Sequence, residues 1–236
     1  MRGDDFAVMG MHFKIGLYEH QSAGALQGVI ELLAREPRIA EGIASVRIRA
    51  YEPAFGIIGD PAKRDPKTRQ SADHSMVFIV ARMLAKARAL GSAALSGKNQ
   101  EELWTHLMLL PEDYSAAALA DLETRSIMER ITFEHGGDEY DRRYPDGIPT
   151  SVEIVTGVGS FDSGLVMYPA GHARHTGASL PVLLEAKWTN LLALASDDGG
   201  ASREFMNRHM RLRELSPEEL LHVYHLPLAE REAVDG

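Results

Sequence analysis

The chain contains no cysteine. That absence removes a disulfide framework, an iron–sulfur cluster held by this chain and a thiol nucleophile, and leaves His, Asp and Glu as the metal ligands available. Long apolar runs are missing too: no segment offers the ~20 consecutive apolar residues that a bilayer crossing needs. Positive charge is in deficit, 25 Lys+Arg against 34 Asp+Glu for a net charge of -9, and a field of that sign repels phosphate backbones and anionic lipid. Neither nucleic acid nor a membrane is expected as a partner. The opening MRGDDFAVMG places acids where a signal peptide has a basic segment and an apolar run, so a cytoplasmic location is expected. No G-x-G-x-x-G, G-x-x-x-x-G-K-[ST] or G-x-S-x-G is found, which withdraws support from the nucleotide-binding and serine-hydrolase classes.

What is present suits a globular chain of one or two domains: 236 residues, 44% hydrophobic, with 21 Gly and 11 Pro. Helical spacing of Ala25, Leu26, Val29, Ile30, Leu32 and Leu33 predicts a helix over 21–35, closed by Glu36-Pro37. Val46 and Ile48 alternate with Ser45, Arg47 and Arg49, the period of a half-buried strand over 44–50. A helix is predicted over 73–90, capped by Ser71 or Asp73, and two more over 99–110 and 115–130. Strand-like runs follow at 131–134, 151–155 and 164–168, and helical character returns at 180–195 and 217–225. The fold class is therefore α+β, a small, mostly antiparallel sheet of about four strands packed with helices.

Candidate chemistry collects at element ends, where sites are usually built. Lys14 and His20 precede the first helix, Arg49 and Tyr51 end the first strand, and Asp73-His74-Ser75 begins a helix. His172/His175 and His222/His225 have the i, i+3 spacing of metal ligands, but the first pair lies in a Gly/Pro-rich loop and the second has no carboxylate on the same face. No metal and no other cofactor is expected. The Tyr144–Pro149 and Tyr168–His172 loops mix aromatic, Pro and Gly around a polar residue, and His172 reads as a structural part of its loop.

Seven ordered stretches carry a resemblance: GDDFAVM (3–9), QSA (21–23), RIRAYEPA (47–54), IGDPAKRDPKTRQSADHS (58–75), LLPEDYS (109–115), FEHGGDEYDRRYPDGIPTSV (133–152) and FDSGLVMYPAGHAR (161–174). Together they resemble the 2-methylcitrate dehydratases of the MmgE/PrpD family, from Gly3 to about Ala195. The resemblance is to the C-terminal part of such enzymes, whose large helical domain precedes it. It implies residues 1–37 as a remnant of that domain, 38–168 as the α+β domain and 169–236 as a helical return segment, in a truncated or split form. Those flanking helices are expected to expose apolar faces and to associate, with a second copy or with a separately encoded N-terminal half.

The activity implied is elimination of water from a tricarboxylate without a cofactor; a relative decarboxylates cis-aconitate. The alternative is a non-catalytic subunit or inactive remnant that binds a helical partner. The family's motifs fall on Lys14 and His20, on Tyr51 and on Asp73-His74-Ser75. They imply His20 and His74 as acid/base groups, Tyr51 as a phenol donor, and Lys14 with Arg49 as substrate-binding cations. The loop between Lys14 and Gln21 is about two residues shorter here than the usual tryptophan/proline-containing version.

Overall fold

A computed structural model describes residues 10–230; the Gly3–Met9 stretch of the resemblance lies outside them. Contacts divide the chain into two units, Met1–Leu180 and Pro181–Gly236. The first is built on a four-stranded sheet of β1 (Ile43–Ala50), β2 (Ile131–His135), β3 (Thr150–Thr156) and β4 (Gly159–Asp162), in the order β2-β1-β3-β4. Its helices are α1 (Ala23–Arg35), α2 (Arg69–Ala72), α3 (Met76–Leu90), α4 (Ser92–Leu95), α5 (Gln100–Leu107), α6 (Ala116–Ala120), α7 (Leu122–Met128) and α8 (Asp138–Asp141).

The alternation in β1 acts as the sequence predicts. Val46, Ile48 and Ala50 are buried, while Arg47 and Arg49 stand on the opposite face. There Arg47 pairs with its cross-strand partner Glu153 and also reaches Glu134, and Arg49 pairs with Glu134 across the β1–β2 ladder. β3 runs antiparallel to both β1 and β4, but β1 and β2 are parallel, so the sheet is mixed. The cause is the connection. All the helices from α2 to α7 intervene between β1 and β2, and only a crossover of that kind can join parallel neighbours.

The fourth strand also differs from expectation. It is Gly159–Asp162, reached from β3 through the two-residue turn Gly157-Val158, and not 164–168. In that later segment Val166 alone bridges to Thr150, and Tyr168-Pro169 follows, whose proline has no N–H to extend a ladder.

Two further boundaries move. The helix expected from Asp73 begins at Met76, because Ser75 accepts from the Phe78 N–H as its N-cap, and α2 is a separate turn closed by Asp73. The run over 115–130 is split at Asp121, which accepts from the Thr124 N–H and starts α7.

The helix at the start of the unit exposes no apolar face. α1 is buried from Ala23 to Leu33, apart from Glu31, and packs on β3, α3 and α5. Gly24 makes this possible, since a Cβ there would lie 2.5 Å from Thr150 Oγ1.

The second unit begins within α9 (Leu180–Ala195) and adds α10 (Gly199–Met210) and α11 (Pro217–Leu221). α10 is nucleated by Asp198, which accepts from the N–H groups of Gly200 and Ala201. Its Gly-Gly start and polar face conceal it from hydropathy alone. This unit does expose apolar side chains, among them Trp188, Met210, Leu221, Tyr224 and Leu228. No helix among the described residues is long and apolar enough to cross a membrane.

Candidate active site

The loop from Lys14 to Glu19 is held from several sides by backbone and phenol groups. The Leu17 N–H donates to the Leu109 carbonyl (2.9 Å), and the Ile15 N–H donates to the Tyr18 hydroxyl (3.1 Å). The Tyr114 hydroxyl donates to the Leu17 carbonyl, and the Glu19 N–H to the Asp73 carbonyl (2.9 Å). This last bond joins the loop to the Asp73-His74-Ser75 turn. The result is a shallow concavity of about 120 Å³ lined by Lys14, Leu17, Tyr18, Glu19, Arg69, Asp73, His74 and Tyr114. Lys14 and His74, distant in sequence, thus share one surface.

Glu19 is buried and caps the 3-10 turn His20–Ser22 by accepting from the Gln21 N–H (2.8 Å) and from the Ser22 hydroxyl. Burial pushes its carboxyl pKa up, while the hydrogen bonds from Ser22 and Gln21 pull the other way. His20, the next residue, is half-buried. Desolvation, then Lys14, then His172 lower its pKa, so the ring is held in the form that accepts a proton.

Tyr51 ends β1 fully buried, stacked at 4.6 Å on Tyr144, with no hydrogen-bond partner for its hydroxyl among the described residues. Burial, Tyr144 and Glu19 all raise its pKa, so it remains a phenol with a proton to donate. The turn Ala54–Ile58 after Tyr51 packs against the His20–Ser22 turn. His74 is exposed, its Nδ1 directed at the Asp73 carboxylate and the Gln70 carbonyl (3.2 Å).

Arg49 is placed elsewhere. Its guanidinium is committed to Glu134 (3.1 Å) on the sheet's charged face, with Tyr140 and Glu153 also beside it. Alternation explains this, because Ile48 and Ala50 take the core side and turn Arg49 away.

Motif reasoning missed two groups. Glu19 lay between two marked residues, and its burial has no signature in sequence. His12 sits opposite His20 with ring centroids 4.5 Å apart and opposite His172 at 5.6 Å, in an antiparallel bridge with His172 that no local pattern announces. Gly171 permits the bridge: its φ is +94°, its carbonyl accepts from the Phe13 N–H (2.9 Å), and a Cβ would lie 1.9 Å from the Phe13 carbonyl oxygen. Gly171→Ala is expected to cost about 1–3 kcal/mol and to detach residues 12–13 from the loop. Amide exchange at Phe13, slow in the parent and fast in the variant, is the check. Among the described residues no group of three His, Asp or Glu side chains is arranged to hold a metal ion.

Residues 18–101 are matched by the model of the MmgE/PrpD C-terminal domain. Over that third or so of the chain the sequence is similar to the C-terminal part of the MmgE/PrpD family. The matched MmgE/PrpD segment holds α1, β1, α3 and the residues His20, Tyr51 and His74; Lys14, His12 and His172 stand outside it in sequence but against it in space. It includes α1, in agreement with the burial of that helix inside the first unit. No curated protein matches the chain.

The imidazoles also give the site a pH dependence. His12 has its pKa lowered from 6.5 to about 4 by burial, then by His20 and His172; the pKa values of His20 and His172 are lowered as well. Between those limits the unfolded chain binds more protons than the folded one, so stability rises with pH over this window and is lost as pH falls toward 4. Partial exposure limits the His12 contribution to about 2 kcal/mol. Urea unfolding at pH 7 and pH 4.5 is expected to show this loss, and His12→Phe to reduce it.

Proposed function

We propose that the chain contributes the proton-transfer face of a hydro-lyase that eliminates water from a tricarboxylate such as 2-methylcitrate. The observation that carries this reading is the convergence of Lys14, Arg69 and His74 on one concavity, beside a His20 whose pKa is lowered, with Arg69, His74 and His20 inside the MmgE/PrpD match and Lys14 just before it. Elimination beside a carboxylate needs a base for the carbon-bound proton, a donor to the departing hydroxyl and cations for the carboxylates.

In this reading Lys14 and Arg69 hold carboxylates. His20 accepts the proton from carbon as the carbon–carbon double bond forms. The carbon–oxygen bond breaks with its electron pair on oxygen, and protonated His74 supplies the proton that makes the leaving group water. Tyr51, fully buried and outside the lining of the concavity, would donate to a carboxylate or to that hydroxyl only once its own hydroxyl is uncovered. Arg49 would join only by leaving Glu134.

A concavity of about 120 Å³ is small beside the ~300–1,000 Å³ typical of pockets that enclose a ligand. We therefore propose that a second surface, a helical domain, closes it; the matched model is itself that of a C-terminal domain, and the second unit, taken by itself, exposes Trp188, Met210 and Leu221. Sedimentation of the protein with its helical counterpart tests this: a complex is expected, and two independent monomers at high concentration would overturn it.

A further inference from the structure

The His12 ring is wedged between those of His20 and His172, and both of its nitrogens are buried without a hydrogen-bond partner among the described residues. An unsatisfied buried ring is costly and persists only where the surrounding structure imposes it. Here the imposing element is the backbone bridge His12↔His172, with Gly171 beneath Phe13. The groups that face His12 are basic or neutral: His20 from the turn before α1, and His172, His175 and the Ala170 backbone from the loop after β4. Lys14 stands on the other side of His20, and Arg174 with Asp146 lies beyond His172, where the Arg174 N–H donates to His172 Nδ1 (3.1 Å). A carboxylate that could stabilise a charged His12 is absent from that set, since Asp146 is engaged by Arg174 and the Tyr168 hydroxyl.

We propose that His12 is a positioning residue whose uncharged ring, packed edge-on against His20, fixes the His20 imidazole and shields it from water so that it stays in its proton-accepting form. This rests on the reading of His20 as the base. The role is assigned to the ring as a filler: neither nitrogen makes a hydrogen bond of ordinary geometry, and the one polar backbone neighbour, at Ala170, would favour the charged form and not the uncharged one. A phenyl ring can therefore replace it and a methyl group cannot.

The test is a pH titration of the imidazole resonances of the ¹⁵N-labelled full chain by NMR. In the parent, His20 is expected to protonate below the usual 6.5 for histidine. In His12→Ala, water reaches His20 and its proton affinity is expected to rise about threefold or more, while in His12→Phe it stays at the parental value. An unchanged His20 titration in His12→Ala, or an equal change in His12→Phe, overturns the proposal. If His12→Ala does not fold, Gly171→Ala, which detaches residues 12–13 from the loop without removing a titratable group, carries the same expectation and the same contrary result. None of these readouts needs turnover. In the enzyme complete with its helical domain, the acid limb of the kcat/KM profile is expected to follow the NMR midpoint. A complex without turnover would sink the hydro-lyase reading and leave the positioning of His20 to be decided by the titration.

Discussion

His20→Ala is expected to lower turnover of 2-methylcitrate by about 10²–10⁴-fold, the range that a positioned acid/base group contributes. The chain's fold should survive, since His20 is only half-buried and the turn that carries it is capped by Glu19 and not by the imidazole. The loss should appear in kcat and kcat/KM together, because proton transfer from carbon is made only in the transition state. Lys14→Met would instead act on KM, through a carboxylate contact made in both ground and transition states. Circular dichroism of each variant accompanies the kinetics. A His20→Ala variant that keeps its secondary structure and more than about a tenth of parental turnover contradicts the assignment, because a residual that high lies outside that range.

Asp113→Ala has the largest expected effect on stability. The Asp113 carboxylate is 1% exposed and accepts from Arg82 Nε (3.0 Å), Lys86 Nζ (2.7 Å) and the Leu110 N–H (2.9 Å). Removing it leaves Lys86 of α3 partly buried without this anion and Arg82 with Asp121 at 3.5 Å, and deleting one partner of a buried pair costs about 3–5 kcal/mol. Asp113→Asn keeps an acceptor for Leu110 and should cost less. The consequence reaches the site, because Asp113 anchors the turn Pro111–Tyr114 and Tyr114 in turn holds the Leu17 carbonyl beneath the concavity. Equilibrium urea unfolding measures the loss. A midpoint within about 1 kcal/mol of the parent would show that the cluster is not anchored as described.

Much of this fold was legible where the physical signal is local. The period of two in Val46-Arg47-Ile48-Arg49 sets both the strand and its two faces, and the spacing from Ala25 to Leu33 sets α1. Signals that depend on distant partners were not legible. The parallel pairing of β1 with β2 follows from where a long helical excursion returns, and β4 gives a weaker hydropathy signal than the apolar run after it because Gly159–Asp162 carries only one large apolar residue, Phe161. The site divides in the same way. Lys14, His20, Tyr51 and His74 stand in recognisable motifs, whereas His12 acquires its neighbours only when the backbone near it crosses the Tyr168–His172 loop. Arg49 was drawn to the site by its place at a strand end, and alternation sends it to the other face.

Ultraviolet absorbance of the double bond formed from 2-methylcitrate, followed with the chain and its helical counterpart together, tests the central claim most directly. The account predicts a steady rise in the parent that His20→Ala all but abolishes. No rise at saturating substrate with both components folded and associated, or a rise that His20→Ala leaves undiminished, would contradict it.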